Sequence, residues 1–303
     1  MTTDSASTTT YRLLDGKLIS AAILEGIAAE VESMKSKGEK APHLCAILVG
    51  SDGASETYVA SKIRNCEKVG FESSLIRFPD TVSEPELLDR IRAVNEDPSI
   101  DGLLVQLPLP AHINVQRVTE TILPSKDVDG FHPINQGRML QNLPCFLPAT
   151  PFGILLMMKH AGISTAGKHC VVVGRSNIVG LPMSVLMGRN ADPGNCTVTL
   201  CHSRTKDLPA VTRTADILIA AIGKPEFIKA DMVKEGAVVI DVGIIRIEDT
   251  SSKNGYRIVG DVDFKNVAPK CSHISPVPGG VGLMTIAGLL KNTLLASKGE
   301  IHF

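Results

Sequence analysis

The chain has 303 residues, 44% hydrophobic and 21% charged, enough for one large or two ordinary domains with well-filled cores. Its 31 basic and 32 acidic side chains nearly cancel and no basic run stands out, which argues against a nucleic-acid binder. No apolar run reaches the length of a membrane span, and the seven cysteines form no Cys-x-x-Cys, so buried reduced thiols of a cytoplasmic protein are expected over a disulfide framework or a zinc site.

The first ten residues, MTTDSASTTT, are polar and expected to be disordered; an acid and no arginine speak against a mitochondrial presequence, and a secretory core is missing. A long helix is predicted from about Gly16 to Lys37, ending near Gly38. Short apolar strands follow at 43–50, 73–78 and 101–107, separated by helical periodicity over 53–70, 83–95 and 112–122. Residues 124–150, rich in Pro, Gly and Asn, read as one long loop. The alternation restarts with strands at 168–174, 196–202, 215–223 and 236–243, then a loop over 274–282 and a closing amphipathic helix over 283–298. Strands alternating with helices imply βαβ units and parallel sheets, here in two α/β domains divided near 150–165. The last helix is expected to pack back across that boundary.

At the nucleotide end, CVVVG runs into GRSNIVGLP, so Gly174 ends a strand and Gly180 opens a helix. That is the place of a Rossmann phosphate loop, although the spacing is not G-x-G-x-x-G and a plain tight turn gives the same pattern. The next strand ends in His202-Ser203-Arg204-Thr205 with no carboxylate for ribose hydroxyls. With Arg175 in the first loop this makes a basic, hydroxyl-bearing pocket suited to a 2′-phosphate, hence NADP; taken singly, each arginine is equally a solvated surface charge. GISTAGKH (162–169) fails as a P-loop because His169 replaces the magnesium-binding hydroxyl and a strand follows. DVDG (127–130) fails as a calcium loop at Phe131 and Arg138.

At the other end stand three polar features. Tyr58 and Lys62, in YVASK, lie one turn apart on a helix face. Gln106 ends the strand GLLVQLPLP, and Asp127 and Asp129 alternate so that both carboxylates fall on one side of an extended segment. Each has an ordinary alternative: a solvated lysine with its stem covered by tyrosine, a strand cap, a turn element. Their convergence at strand edges favours a ligand site.

Eight motifs in order carry a resemblance that spans residues 12–298: YVASKIRNCEKVG, GLLVQLPLP, PSKDVDGFHPINQGRM, PATPFGILLMMKHAGI, VVVGRSNIVGLPMSVLM, ADILIAAIGKP, VVIDVGI and PVPGGVGLMT. The chain resembles the bifunctional methylenetetrahydrofolate dehydrogenase/cyclohydrolase family. The resemblance implies an N-terminal βαβ substrate domain (1–155 with 284–303) and a C-terminal Rossmann-type NADP domain (156–283), with a cleft between. It also implies a homodimer acting on tetrahydrofolate derivatives, polyglutamylated ones included, with no metal.

By the same resemblance Lys62 is the general acid/base, Gln106 tunes it, Tyr58 packs on and orients the folate, and Asp129 binds the pterin with Asp127 in support. Pro278, Gly279, Gly280 and Val281 line the folate site. Gly174, Arg175, Ser176, His202 and Ser203 hold the phosphates, while Ile178, Ile244 and Thr285 approach the cofactor. The chain departs from the family pattern at Leu283, where a proline is usual, and at Ile245, where an asparagine is. A short-chain dehydrogenase also carries Tyr-x-x-x-Lys, but its glycine loop precedes the pair, and here Tyr58 precedes Gly174. A non-catalytic NADP or folate sensor is the other rival; intact Lys62 and Gln106 speak against it.

Overall fold

The computed structural model describes residues 11–252 and 255–303, so the expectation for the first ten residues lies outside the described residues. The chain divides into two compact units, one formed by Ser20–Gly153 with Thr285–Phe303, the other by Ile154–Met284 with the segment up to Ile19.

In the first unit three parallel strands, β2 (His43–Val49), β3 (Glu72–Phe78) and β4 (Gly102–Val105), lie in the order β3-β2-β4. Alternation sends Leu44, Ala46 and Leu48 to one face, against α1 (Gly16–Ser36), α2 (Gly53–Lys68) and α10 (Val281–Ser297). Cys45, Ile47 and Val49 go to the other face, against α3 (Glu84–Glu96) and α4 (Val115–Thr121). Burial on both faces explains why β2 and β4 read as unbroken apolar runs, whereas β3, at the sheet edge, is only partly buried. Asp52 starts α2 by accepting from Ser55 N at 2.8 Å, and Ser83 does the same for α3 through Glu86 N.

The stretch expected to be one long loop is structured. α5 (Pro133–Leu140) lies within it, and α6 (Ala149–His160) begins at its end. Proline at the first turn and His132 Nδ1 accepting from Ile134 N at 3.0 Å start α5. Its eight residues bury Asn135 and Met139, too short a stripe for periodicity to reveal among Pro, Gly and Asn. Gly130, at φ +72°, has no room for a side chain: a Cβ there would sit 2.5 Å from Leu147 C. Asn292, buried on α10, donates from Nδ2 to Val128 O and Leu147 O, both at 2.8 Å, pinning the two limbs of this segment together.

The second unit is a six-stranded parallel sheet in the order β1-β11-β8-β7-β5-β6. Its strands are β1 (Arg12–Leu13), β5 (His169–Val173), β6 (Thr197–Cys201), β7 (Ile217–Ala220), β8 (Val238–Asp241) and β11 (His273–Ile274). Short helices α7 (Gly180–Gly188), α8 (Leu208–Thr212) and α9 (Phe264–Val267) and a separate hairpin, β9 (Ile245–Glu248) with β10 (Tyr256–Val259), complete it. β5 is flanked by β6 and β7, so the chain reverses its direction of winding there, which is where open α/β sheets bind ligands. One boundary differs from the sequence expectation: β1 pairs with β11, so residues 11–19 belong to this unit rather than to the first. Two residues of strand are below what periodicity can register.

Asn292→Ala leaves a buried and a half-buried carbonyl without their donor and is expected to destabilise the first unit by about 2–4 kcal/mol. Urea unfolding monitored by circular dichroism checks this; a midpoint equal to that of the unmodified chain contradicts it.

Candidate functional site

On α2 the buried positions Ser55, Val59, Lys62 and Cys66 recur every three or four residues, so Lys62 stands within the stripe that faces the core. It is only 4% exposed. Its Nζ donates to Gln106 Oε1 at 3.1 Å and lies 4.9 Å from the centroid of the Tyr58 ring. Gln106 follows β4 and is oriented by its own Nε2, which donates to Leu107 O at 2.7 Å.

Burial lowers the Lys62 amine below the ordinary lysine value, and the negative charge of Asp129 opposes it. The Asp129 carboxyl is pushed up by burial and drawn down by Lys62. The Tyr58 phenol is raised to about 12, by burial first, with a hydrogen bond from Thr285 acting against it. A tyrosine held this way keeps its proton at neutral pH, opposite to the use of Tyr-x-x-x-Lys in short-chain dehydrogenases. Behind Lys62 on the same helix face, the Cys66 thiol is also raised to about 12 by burial.

The two aspartates do not act as one pair. Asp127 is 1% exposed and accepts from Phe131 N (3.2 Å), His132 N (2.8 Å) and Asn135 Nδ2 (2.9 Å). Its carboxylate organises its own loop, whereas Asp129 is coupled to Lys62. The expected extended segment is a turn after a single bridge from Asp127 to Leu103. Burial pushes the Asp127 carboxyl up to about 7 against these hydrogen bonds.

Thr285, expected near a cofactor, belongs to this unit, where its hydroxyl meets Thr150 Oγ1 at 3.0 Å and Tyr58. Sequence reasoning missed Thr150, Asn135 and Asn292. A buried amide or hydroxyl inside a helical stretch leaves no mark on periodicity, although Asn135 lies within a quoted motif.

In the second unit β5 leads through Gly174 into an exposed loop, Arg175–Ile178, and then α7. A Cβ on Gly174 would lie 2.0 Å from Ala221 O, and one on Gly180 2.0 Å from Gly174 O, so the turn admits no side chain at either place. Ser176 Oγ accepts from Val179 N (3.2 Å) and Gly180 N (3.4 Å), which leaves its proton to donate. After β6, His202 N donates to Thr205 Oγ1 at 2.9 Å and His202 Nδ1 accepts from Arg204 N at 3.2 Å, presenting Ser203 and Arg204 to solvent. Closed glycine turn, helix start and basic hydroxyl turn together fit the phosphates of a dinucleotide. Ile178 and Ile244 are exposed large apolar side chains of this unit.

Pro278, Gly279, Gly280 and Val281 form the turn that starts α10. Gly16 lies against it: a Cβ there would be 2.1 Å from Gly280 O. Leu283, in place of the usual proline, donates its N–H to Gly280 O at 3.2 Å, a bond proline could not make. Among the described residues no group of His, Cys, Asp and Glu is placed to hold a metal ion, and no helix is long and apolar enough to cross a membrane.

A doubly wound parallel sheet with a closed glycine turn in one unit, and a buried lysine with Gln106 and the charge of Asp129 in the other, define a two-domain dinucleotide-binding α/β enzyme. Family comparison gives the rest. Residues 14–129 match the tetrahydrofolate dehydrogenase/cyclohydrolase catalytic domain and residues 148–301 the NAD(P)-binding domain of the same family. The bifunctional protein FolD of Cytophaga hutchinsonii is 61% identical over 286 residues, covering 94% of this chain and 99% of that one. The crystal structure of the bifunctional enzyme FolD-methylenetetrahydrofolate dehydrogenase/cyclohydrolase from Campylobacter jejuni is 46% identical at a TM-score of 0.90, covering 96% of this chain and all (100%) of that one. The methylenetetrahydrofolate dehydrogenase-cyclohydrolase of Trypanosoma brucei, complexed with NADP cofactor and inhibitor, is 33% identical, also at 0.90, covering 97% and 99%. The chain belongs to the tetrahydrofolate dehydrogenase/cyclohydrolase family.

Lys62 is expected to titrate below the ordinary lysine range of about 10.4, and Asp129→Asn to move it further down by removing the opposing charge. NMR of the Lys62 Cε signal against pH reads both; an ordinary value in the unmodified chain contradicts the burial argument.

Proposed function

We propose that this chain oxidises 5,10-methylenetetrahydrofolate to the methenyl form with NADP and then hydrolyses that product to 10-formyltetrahydrofolate. The observation that carries the reading is a lysine, 4% exposed, held by Gln106 and facing the charge of Asp129 and the ring of Tyr58.

NADP, when bound, supplies the acceptor for the hydride that leaves the methylene carbon. The substrate's two nitrogens stabilise the resulting cation, so the chain's own task in that half-reaction is positioning. Gly174, Arg175, Ser176, His202 and Ser203 hold the phosphates; Arg175 supplies the charge-assisted contact for a 2′-phosphate. Ile178 and Ile244 offer apolar surface nearby. Thr285, whose hydroxyl meets Thr150 Oγ1 and Tyr58, also approaches the cofactor.

Hydrolysis moves protons. Water adds to the cationic carbon, and a bond from that carbon to a ring nitrogen breaks. Neutral Lys62, favoured by burial, takes a proton from the adding water and returns it to the departing nitrogen, while the remaining hydroxyl proton is lost to solvent as the formyl carbon–oxygen double bond forms. Gln106 Oε1 aims the amine, the Tyr58 ring stabilises it when charged, and Asp129 accepts hydrogen bonds from the pterin. Asp127 supports Asp129 by fixing the loop, not by touching substrate. The turn Pro278–Val281 contributes backbone to folate binding. Polyglutamylated folates, a cytoplasmic location, a homodimer, and no nucleic-acid or membrane partner complete the proposal. Sedimentation equilibrium checks the dimer.

Lys62→Ala is expected to lower methenyl hydrolysis by about 100-fold or more, measured from the loss of methenyl absorbance; unchanged hydrolysis contradicts the assignment. In the dehydrogenase assay NADP should be preferred over NAD, with Arg175→Ala raising the KM for NADP and leaving that for NAD nearly unchanged. A wild-type preference for NAD removes the 2′-phosphate argument.

A further inference from the structure

The second unit buries two carboxylates side by side that the proposed chemistry does not use. Asp241 ends β8 and is 3% exposed; Asp261 follows β10 and is fully buried. Asp241 Oδ1 accepts from Gly243 N (3.0 Å) and Asp261 N (2.9 Å), and Oδ2 accepts from Val262 N (2.9 Å). Asp261 Oδ2 accepts from Ile222 N (2.6 Å) and Oδ1 from Lys224 N (2.7 Å). The Asp241 backbone N–H in turn donates to Ser275 Oγ at 2.8 Å, just past β11. The backbone is cut to fit: a Cβ on Gly260 would lie 1.9 Å from Asp241 Oδ2, and one on Gly243 2.5 Å from Asp261 N.

Through these contacts the two carboxylates tie together the segments that leave β7, β8 and β10, and the Ser275 hydroxyl adds the one that leaves β11. Those following β7 and β8 lie at the carboxyl edge of the sheet, next to the turn after β5. Ile244, 61% exposed, is the residue directly after the tied Gly243. Two buried carboxylates are a poor way to gain stability, because desolvation offsets most of what their hydrogen bonds return. What they do provide is acceptors for N–H groups in loops that lack a strand partner, and so a fixed loop backbone.

We infer that Asp241 and Asp261 are positioning residues for the cofactor, fixing the loops after β7 and β8 so that their backbone and Ile244 meet a bound NADP without rearrangement. The inference rests on the NADP reading above. Neither carboxylate need touch the cofactor; each acts through the amides it holds.

Asp241→Asn and Asp261→Asn keep the shape but turn one acceptor oxygen into a donor facing an N–H. Isothermal titration of NADP⁺ into each variant, without folate, is expected to show affinity reduced about tenfold or more relative to the unmodified chain, the cost of loops that must be reordered on binding. Hydrolysis of methenyltetrahydrofolate without cofactor depends chiefly on Lys62 and its neighbours in the first unit and should fall far less. Unchanged NADP⁺ affinity in a folded variant overturns the inference, as does a parallel loss of both properties, which marks general damage. Absence of NADP⁺ binding in the unmodified chain would instead overturn the cofactor reading itself. Should the variants not fold, hydrogen exchange on the unmodified chain decides: the amides of Ile222, Lys224, Gly243 and Val262 should be as protected without NADP⁺ as those of β8. Exchange at loop rates that slows only on binding overturns the inference.

Discussion

Taking the Lys62 amine out of water is the constraint around which the first unit is arranged. An isolated buried ammonium is costly by several kcal/mol, so a chain that places lysine in the core-facing stripe of α2 must either neutralise it or surround it. Both happen here. Burial lowers its proton affinity, and Gln106, Asp129 and the Tyr58 ring supply an oxygen acceptor, a charge and a π face. The balance leaves an amine that gives up its proton more readily than a surface lysine does.

The neighbouring structure can be followed outward from that balance. Asp129 must keep its charge within reach of Lys62, and its turn is fixed by Asp127 on one side and by the close approach of Gly130 to Leu147 on the other. Asn292 holds the same two limbs from α10, and Thr285, one to two turns earlier on that helix, holds Tyr58. The final helix is therefore structural support for the lysine's environment as well as a core element. In the second unit a similar economy of means appears at the sheet edge, where Asp241 and Asp261 satisfy loop amides that no strand could.

Much of this was legible in the sequence because parallel strands buried on both faces give unbroken apolar runs, and the strands of both sheets stand where those runs fall, β1 and β11 apart. Tyr58, Lys62, Gln106 and Asp129 stood out as polar residues at strand ends or on one helix face, and the first unit brings them together. What could not be read was pairing at a distance. Nothing local says that Arg12–Leu13 will pair with β11, or that Asn292 will reach two carbonyls far back in the chain. The spacing of Asp127 and Asp129 marked both carboxylates but not their partners: hydrogen bonds to its own loop give Asp127 a structural role, while the charge of Asp129 acts on the lysine. Helix α5 escaped because its signals, a histidine cap and a first-turn proline, sit within residues that otherwise mark loops.

The central claim is that the proton state of Lys62 sets the rate of hydrolysis. Its most direct test is the pH dependence of methenyltetrahydrofolate hydrolysis in the unmodified chain and in Asp129→Asn, at saturating substrate. The account predicts an acid limb that coincides with the titration of Lys62 and moves to lower pH in the variant by the same amount as the lysine does. A limb that stays in place while the lysine's titration moves would contradict it.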